Sequence, residues 1–368
     1  MQAVERYWTR LTEQDLLATE FTTNNPTELA GLVEERPETE EIPIVEMLYD
    51  LRGTDKKVRC VHDRYDNHQR GIVMRYRDGR RILVGRDCAR KIWGVNFDLL
   101  IKDFDLAKDT AYYLRRRNAA RDAGPNFLAS LAELRQAPAI GLYQNLKSDF
   151  RRRLPGLASD IDDLIYERDG MLFRDERVRD LMAEQRRAEK ANEEGPPIRT
   201  QAAKRYLQAM GGQKDEPKKQ LNPIYTTIQT QLGMLEGQDF FGGGTEPIGL
   251  RVSEYEKRAI SGLRQLGDDH EYLEMLRNRL KGLTEIVDGV IGEIDRLDAL
   301  SAAFAPHNLS WLAQWANSIS KDGTRYRTEQ GTFIAAPDRD DDILLRFPSN
   351  YRVPSREPFM AFREAVTG

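Results

Sequence analysis

One short segment, residues 56–94, restricts the possible fold more than any other part of this 368-residue chain. Its middle holds two β-prone runs, GIVMRYR and RRILVG, which are joined by the strong turn signal Asp78-Gly79. Gly85 then allows a sharp bend, and Asp87 can cap a helix formed by the following ARKIWG run. The pattern predicts an antiparallel hairpin that leads directly into a short helix.

The two cysteines of the chain lie on either side of this hairpin. Two thiols make no disulfide framework. Cys88 falls at the N-terminus of the expected helix, where the helix dipole predicts a lowered thiol pKa. His62 and His68 lie in the loop that follows Cys60. Cys60, His62, His68 and Cys88 are together the kinds of ligand that zinc takes in closed tetrahedral sites.

The order of these features resembles a treble-clef-type zinc finger. The resemblance covers about residues 56–94 and rests on Cys60, on the hairpin from Gly71 to Val84, and on the run Val84-Gly85-Arg86-Asp87-Cys88-Ala89. It implies a structural Zn²⁺ ion held by three or four of Cys60, His62, His68 and Cys88. Two alternatives remain open: a module of the same shape without metal, and an unrelated arrangement in which the cysteines only pack in a core.

The charge of the chain changes sign where this segment begins. Residues 1–51 hold twelve acidic and three basic side chains, a net charge of −9, whereas residues 52–91 hold thirteen basic and five acidic ones, a net charge of +8. A basic surface that also carries aromatic rings favours nucleic-acid binding. The predicted interface consists of Arg64, Arg70, Arg75, Arg77, Arg80, Arg81, Arg86, Arg90, Lys91, Tyr76 and Trp93. The alternative is that the acidic and basic segments pack against each other.

A second regular pattern runs from residue 266 to residue 297. Apolar residues recur there every seven positions in two rows, Leu266, Leu273, Leu280, Val287 and Ile294, and Leu276, Leu283, Val290 and Leu297. This heptad pattern predicts a long helix, with Ser253 and Glu256 as a capping box at its start. The apolar seam predicts self-association as a coiled coil or, alternatively, packing against other helices of the same chain.

The remaining sequence predicts a mainly α protein with a small α+β module near its N-terminus and a short β element near its C-terminus. Gly124-Pro125 predicts a helix end, and TRYRTEQGTFIAAP with DDDILLRFP predicts strands. The predicted segments are an acidic N-terminal segment (1–55), the basic zinc-finger-like module (56–95), a helical region (96–193), a hinge or linker (194–222), a long helix with the seam (223–305) and a C-terminal helix with a β element (306–368).

Several function classes lack their sequence motifs. The chain has no metalloprotease histidine pair, no phosphate loop and no Gly-x-Ser-x-Gly elbow. The run FFGGGTEP leads to Glu246-Pro247 instead of Lys-Ser/Thr, so we expect a turn there. No apolar run reaches membrane-spanning length and no secretory h-region is visible, which predicts a cytoplasmic protein. We expect a non-enzymatic nucleic-acid-binding or adaptor protein, or alternatively a structural or assembly protein that oligomerises through the long helix.

Overall fold

The computed structural model describes residues 6–66, 68–193, 205–206, 209, 222–243, 246–267, 273–338 and 341–368. Its helices are α1 (Glu13–Ala18), α2 (Arg86–Trp93), α3 (Val95–Gln136), α4 (Pro138–Arg153), α5 (Pro155–Arg168), α6 (Leu181–Glu193), α7 (Gln238–Phe241), α8 (Ile248–Gln265), α9 (Leu273–Ala303), α10 (Pro306–Ile319) and α11 (Glu357–Thr367). Its strands are β1 (Ile44–Asp50), β2 (Arg70–Arg75), β3 (Arg81–Val84), β4 (Met171–Arg179), β5 (Tyr225–Met234), β6 (Arg325–Glu329), β7 (Thr332–Ala336) and β8 (Ile343–Arg346). The predicted class, mainly α with small β elements, is confirmed.

Two compact units make up the molecule, and each is built from separate stretches of sequence. The first comprises Met1–Leu134, Val252–Ile291 and Ser355–Gly368, and the second comprises Arg135–Arg251 and Gly292–Pro354. The division into six consecutive segments, which the sequence suggested, remains a prediction. The segment expected to be a hinge, 194–222, lies almost entirely outside the described residues.

The expected hairpin forms strands β2 and β3 of the first sheet, whose strand order is β1-β2-β3 with antiparallel pairing throughout. The sequence suggested a two-residue turn at Asp78-Gly79. The loop instead has three residues, 77–79, which lie between the closing pair Tyr76 and Arg80. The Tyr76 N–H donates to the Arg80 carbonyl at 2.9 Å. Gly79 takes a φ of 88°, which is the left-handed conformation that this kind of loop requires.

The acidic and basic segments share this sheet, since β1 belongs to the first and β2 and β3 to the second. One face packs on a cluster of Tyr49, Leu51, Val58, Val73 and Leu83. The sheet also contacts α3 through a ring cluster that includes Trp8, whose indole N–H donates to the Val45 carbonyl at 2.8 Å and whose backbone N–H donates to Asp103 at 2.9 Å. Around β1, the acidic and basic segments therefore pack against each other, as the alternative interpretation of their charges predicted.

Helix α3 continues through Gly124-Pro125, so the helix end predicted there is wrong. A Cβ at Gly124 would come within 3.1 Å of Leu263 of α8, and the Phe127 ring stacks on Phe362 of α11 at 4.0 Å. Proline removes one hydrogen bond from a helix interior. Close packing on both sides of the proline outweighs that loss and keeps the helix continuous.

The heptad pattern lies on helix α9 and on the end of α8, and the predicted start at Ser253 is wrong. Helix α8 already begins at Ile248, where Pro247 accepts the first helical hydrogen bonds. The seam side chains buried within this single chain are Leu266, Leu276, Leu280, Leu283, Val287, Val290, Ile294 and Leu297. This burial favours the alternative that the seam packs within its own chain.

The second unit contains two further antiparallel sheets, β4-β5 and β6-β7-β8. Strand β4 occupies a region that was expected to be helical, and it pairs with β5 along its whole length. The strands expected near the C-terminus are present as β6, β7 and β8, whereas helix α11 was not expected. Among the described residues, none of the helices combines the length and apolar character needed to cross a bilayer.

Candidate metal site

A tight loop holds Cys60 beside strand β3. The Cys60 N–H donates to the Tyr65 carbonyl at 3.1 Å, and the Arg64 N–H donates to the Cys60 carbonyl at 3.0 Å. Arg64 adopts a φ of 57°, which lets the chain turn back at this point. The Val61 N–H donates to the Leu83 carbonyl at 3.0 Å, so the loop is anchored to the sheet.

Cys88 approaches Cys60 from the first turn of helix α2. That helix begins at Arg86, with Gly85 in the capping position and no side-chain cap, so the predicted cap at Asp87 is wrong. The ligand atoms of Cys60, Asp63 and Cys88 all lie within 4.8 Å of one another. Both cysteines are free thiols. These three side chains are therefore close enough to bind one metal ion.

The third member of this group is Asp63 and not one of the two predicted histidines. The Cys88 thiol donates to Asp63 Oδ2 at 3.2 Å. The His62 side chain is exposed and is not one of the three members of this group. A spacing signal could have identified Asp63: it follows Cys60 by three residues, the separation of paired ligands in a zinc knuckle.

His68 lies next to the group but is not one of its three members. Its Nδ1 forms a 2.8 Å hydrogen bond with the Tyr49 hydroxyl. Its ring fills space left by two glycines, because a Cβ at Gly85 would be 2.6 Å from Nε2 and one at Gly71 would be 2.8 Å from Cε1. Burial lowers the pKa of His68, and the nearby charge of Asp63 opposes this shift.

The protonation of the site differs from the sequence expectation. Burial, followed by hydrogen bonding to Asp63 and Cys60, raises the pKa of the Cys88 thiol to about 12. The predicted lowering by the helix dipole is therefore wrong, because desolvation and a neighbouring carboxylate act more strongly. Hydrogen bonds from the Tyr65 N–H and from both thiols hold the pKa of Asp63 below its usual value. Since metals bind thiolates, metal binding here must release protons.

Most of the predicted nucleic-acid-binding cations contact acidic side chains of the same chain. The ion pairs are Arg64 with Glu35 (3.3 Å), Arg70 with Asp50 (3.4 Å), Arg75 and Arg81 with Glu46 (2.8 and 2.6 Å), Arg80 with Asp78 (2.6 Å) and Arg90 with Asp98 (3.1 Å). The backbone N–H of Arg77 donates to Glu41 at 2.7 Å. Arg86 and Lys91 are exposed, and within the described ranges neither forms an ion pair.

The buried members of the predicted nucleic-acid interface pack within the chain and stabilise its fold. Glu46 is only 9 % exposed and holds Arg75 and Arg81 against the sheet. Tyr76 is 1 % exposed, so its predicted stacking on bases is wrong, because neither face of its ring is free. Trp93 is half-buried and lies beneath the Arg36 guanidinium at 5.9 Å from the ring centre. The exposed members of the predicted interface are Arg64, Arg70, Arg77 and Arg80 outside helix α2, and Arg86, Arg90 and Lys91 on it.

Comparison of the chain with known protein families, with curated proteins and with solved structures finds no match.

Proposed function

We propose that this chain is a non-enzymatic nucleic-acid-binding or adaptor protein whose binding surface is held in shape by one Zn²⁺ ion. The observation that carries the proposal is the convergence of Cys60, Asp63 and Cys88 within 4.8 Å. Two thiolates in one site favour zinc over magnesium or calcium, which prefer oxygen ligands alone. Zinc sites with four protein ligands are structural, whereas catalytic sites keep one position for water.

His68 is the fourth ligand of the proposed site. A zinc-bound histidine usually uses its second ring nitrogen in a hydrogen bond that fixes the ring orientation. The contact of Nδ1 with the Tyr49 hydroxyl fills that role and leaves Nε2 for the metal. His68 is also held in place by its backbone, which exchanges hydrogen bonds of 3.0 and 3.1 Å with Val58, two residues before Cys60.

The metal would connect three parts of the module: the loop at Cys60, the strand-like segment at His68 and the start of helix α2. Without a metal, two buried thiols lie beside the exposed carboxylate of Asp63, and burial together with that carboxylate raises the pKa of Cys88. A dication stabilises the deprotonated ligands and would add a further connection between these segments. We infer that zinc stabilises the position of α2 relative to the hairpin.

Helix α2 is the proposed contact surface for phosphates. Arg86 and Arg90 are one helical turn apart and exposed, and Lys91 is exposed next to them. The Arg90–Asp98 pair is itself exposed, with side chains 62 % and 44 % accessible, so it can exchange its carboxylate for a phosphate at little cost. Arg75 and Arg81 are excluded from the proposed surface because Glu46 holds them.

The metal proposal is tested by zinc analysis of protein purified without chelator. We expect about one zinc per chain, and its loss in Cys60→Ser, Asp63→Ala and Cys88→Ser variants, because each removes a ligand. The matched control is His62→Ala, which should keep its zinc. Adding zinc to chelator-treated wild-type protein should raise the thermal unfolding temperature, since a ligand that binds only the folded state stabilises it.

Two results would contradict the metal site as proposed. Wild-type protein that contains no zinc and gains no stability from added zinc would reduce the module to a metal-free fold. Zinc retained in Asp63→Ala and lost in His62→Ala would restore the ligand set predicted from the sequence and remove Asp63 from it.

The nucleic-acid proposal is tested by titrating the protein with short duplex DNA and with single-stranded RNA at several salt concentrations. We expect affinity to fall with salt, and the logarithmic slope to decrease by about two in the double variant Arg86→Gln/Lys91→Gln, since each phosphate contact contributes about one. The double variant Lys257→Gln/Lys281→Gln, which removes two exposed lysines outside the module, should keep the wild-type slope.

Binding that does not depend on salt would contradict a phosphate-contacting surface, and an unchanged slope in Arg86→Gln/Lys91→Gln would exclude α2 as that surface. Absence of binding to both nucleic acids in zinc-loaded protein would leave the second candidate, in which the module serves protein contacts. That candidate is supported by the number of module cations that already pair with carboxylates.

A further inference from the structure

A small cavity of about 260 Å³ lies in the second compact unit. Residues from α4, the segment before α8, the start of α8 and the end of α9 line it. They are Tyr143, Gln144, Lys147, Ser148, Arg151, Glu246, Pro247, Ile248 and Arg296. Its walls therefore combine several hydrogen-bond donors with the apolar surfaces of a proline and an isoleucine.

Three cations face this one cavity. Burial and the neighbouring charges of Arg296 and Arg151 lower the pKa of Lys147 to about 8. The Lys147 ammonium donates to the Asp239 carbonyl at 2.6 Å. Cations crowded in a partly desolvated space repel one another, and an anion placed among them removes that repulsion.

The carboxylates near the cavity do not accept hydrogen bonds from all of the N–H donors that line it. Arg151 pairs with Asp162 at 2.6 Å, and Arg296 pairs with the fully buried Glu293 at 2.7 Å. Each guanidinium has five N–H donors, and the Arg296 Nε is buried without an acceptor among the described residues. Among the described residues that line the cavity, Glu246 is the carboxylate and three are cations, two of which also pair with Asp162 and Glu293.

A buried hydroxyl gives an independent indication. Tyr143 is 1 % exposed and lies close to Arg296, but within the described part of the chain its hydroxyl forms no hydrogen bond of ordinary geometry. Buried polar groups without partners are rare in folded proteins, and a bound ligand is one of the few explanations for them. The hydroxyl can donate or accept and the Arg296 Nε can only donate, so one acceptor would satisfy both groups.

We propose that this cavity binds a small oxyanion of the phosphate class, held by Lys147, Arg151 and Arg296. Its volume exceeds that of inorganic phosphate, and the apolar wall formed by Pro247 and Ile248 suits a small organic group, so a phosphate monoester is the favoured ligand. The site is built from side chains: the backbone N–H of Gly243, in the neighbouring glycine-rich run, already donates to Asp162 at 2.5 Å. The proposal is independent of the metal module.

The proposed oxyanion site is tested by isothermal titration calorimetry of the whole chain with phenyl phosphate, inorganic phosphate and benzyl alcohol. We expect phenyl phosphate to bind more tightly than inorganic phosphate, and benzyl alcohol not to bind. Lys147→Gln should weaken phenyl phosphate binding about tenfold or more, because it removes a charged hydrogen bond. Lys147→Arg, which keeps the charge, should retain most of the affinity, and Lys281→Gln, at an exposed lysine that does not line the cavity, is the matched control.

The folding of each variant is checked by its thermal unfolding curve, and Lys147 is only partly buried, so its substitution is expected to be tolerated. Equal binding of inorganic phosphate and phenyl phosphate would assign free phosphate as the ligand and remove the organic group. The proposal is overturned if neither phosphate compound binds at about 1 mM, if benzyl alcohol binds as well as phenyl phosphate, or if folded Lys147→Gln keeps wild-type affinity.

Discussion

His68 occupies a space that Gly71 and Gly85 leave open. Gly85 has an ordinary φ of −69°, so it is needed for the close approach of the imidazole and not for an unusual backbone conformation. A side chain there would meet His68 Nε2 at 2.6 Å. The orientation of His68, the proposed fourth ligand, therefore depends on residue 85 having no Cβ atom.

Gly85→Ala is expected to lower the free energy of unfolding by about 1–3 kcal/mol, because the added methyl group overpacks a filled site. It should also weaken zinc binding, since the ring has to move. Urea unfolding and zinc competition with a chelator measure the two effects.

Gly282→Ala is the matched control for this substitution. A Cβ at Gly282 meets no atom within 4 Å, and the residue lies inside helix α9, so alanine should be neutral or stabilising there. A Gly85→Ala variant with wild-type stability and wild-type zinc affinity would show that His68 is not confined as described.

Asp63 illustrates how much a single position matters to the interpretation of a site. Sequence reasoning selected histidines because they are common zinc ligands, whereas the loop geometry brings the carboxylate next to His62 towards the two thiols. Neighbouring residues in a tight turn point in different directions. The choice between them depends on the φ of 57° at Arg64 and on the loop hydrogen bonds, which no residue-type preference encodes.

Helix α9 shows what periodicity can and cannot predict at the scale of one element. The heptad pattern correctly indicated a long helix with one apolar face, but not which surface covers that face. In the first unit, Leu283 packs against Gly262 of α8, where a Cβ would come within 2.9 Å, and Gly289 faces the Tyr255 ring. Glycines that weaken an isolated helix thus permit close approach between two helices of the same chain.

Leu280→Ala is expected to lower the free energy of unfolding by about 2–5 kcal/mol, because it leaves a cavity at a fully buried position of the seam. Lys281→Ala, at the adjacent exposed position, should change stability little. Urea unfolding measures both, and light scattering measures the mass of each variant. Loss of a larger assembly in Leu280→Ala, with the folded chain remaining stable, would instead show that the seam faces another copy.

In helix α3 and strand β4, tertiary contacts override the structure that the local sequence favours. Gly124-Pro125 reads locally as a helix end, yet packing by Leu263 and Phe362 keeps the helix intact. Strand β4 carries a run of charged residues that suits an exposed helix equally well, and its pairing with β5, more than 50 residues later in the chain, decides the outcome. Local propensity is a weak preference that such contacts override.

At the scale of the whole molecule, the reversal of charge between residues 1–51 and 52–91 is the most informative feature of composition. Read from the sequence, it indicated a basic surface for an external polyanion. In the folded chain, much of that charge meets acidic residues of the first segment, most closely at Glu46, which pairs with two arginines. The surface left for a partner is smaller than the sequence suggested, because Arg75, Arg81 and Tyr76 are removed from it.

The sequence by itself determined the hairpin, the helix that follows it, the placement of both cysteines beside that hairpin, and the apolar seam. These depend on turn preferences and on periodicities that act over a few residues. Only the tertiary structure decided that Asp63 joins the two cysteines, that Glu46 holds Arg75 and Arg81, and that the seam is covered within the chain. Each of these depends on distances between residues far apart in sequence, which packing sets and local preference does not.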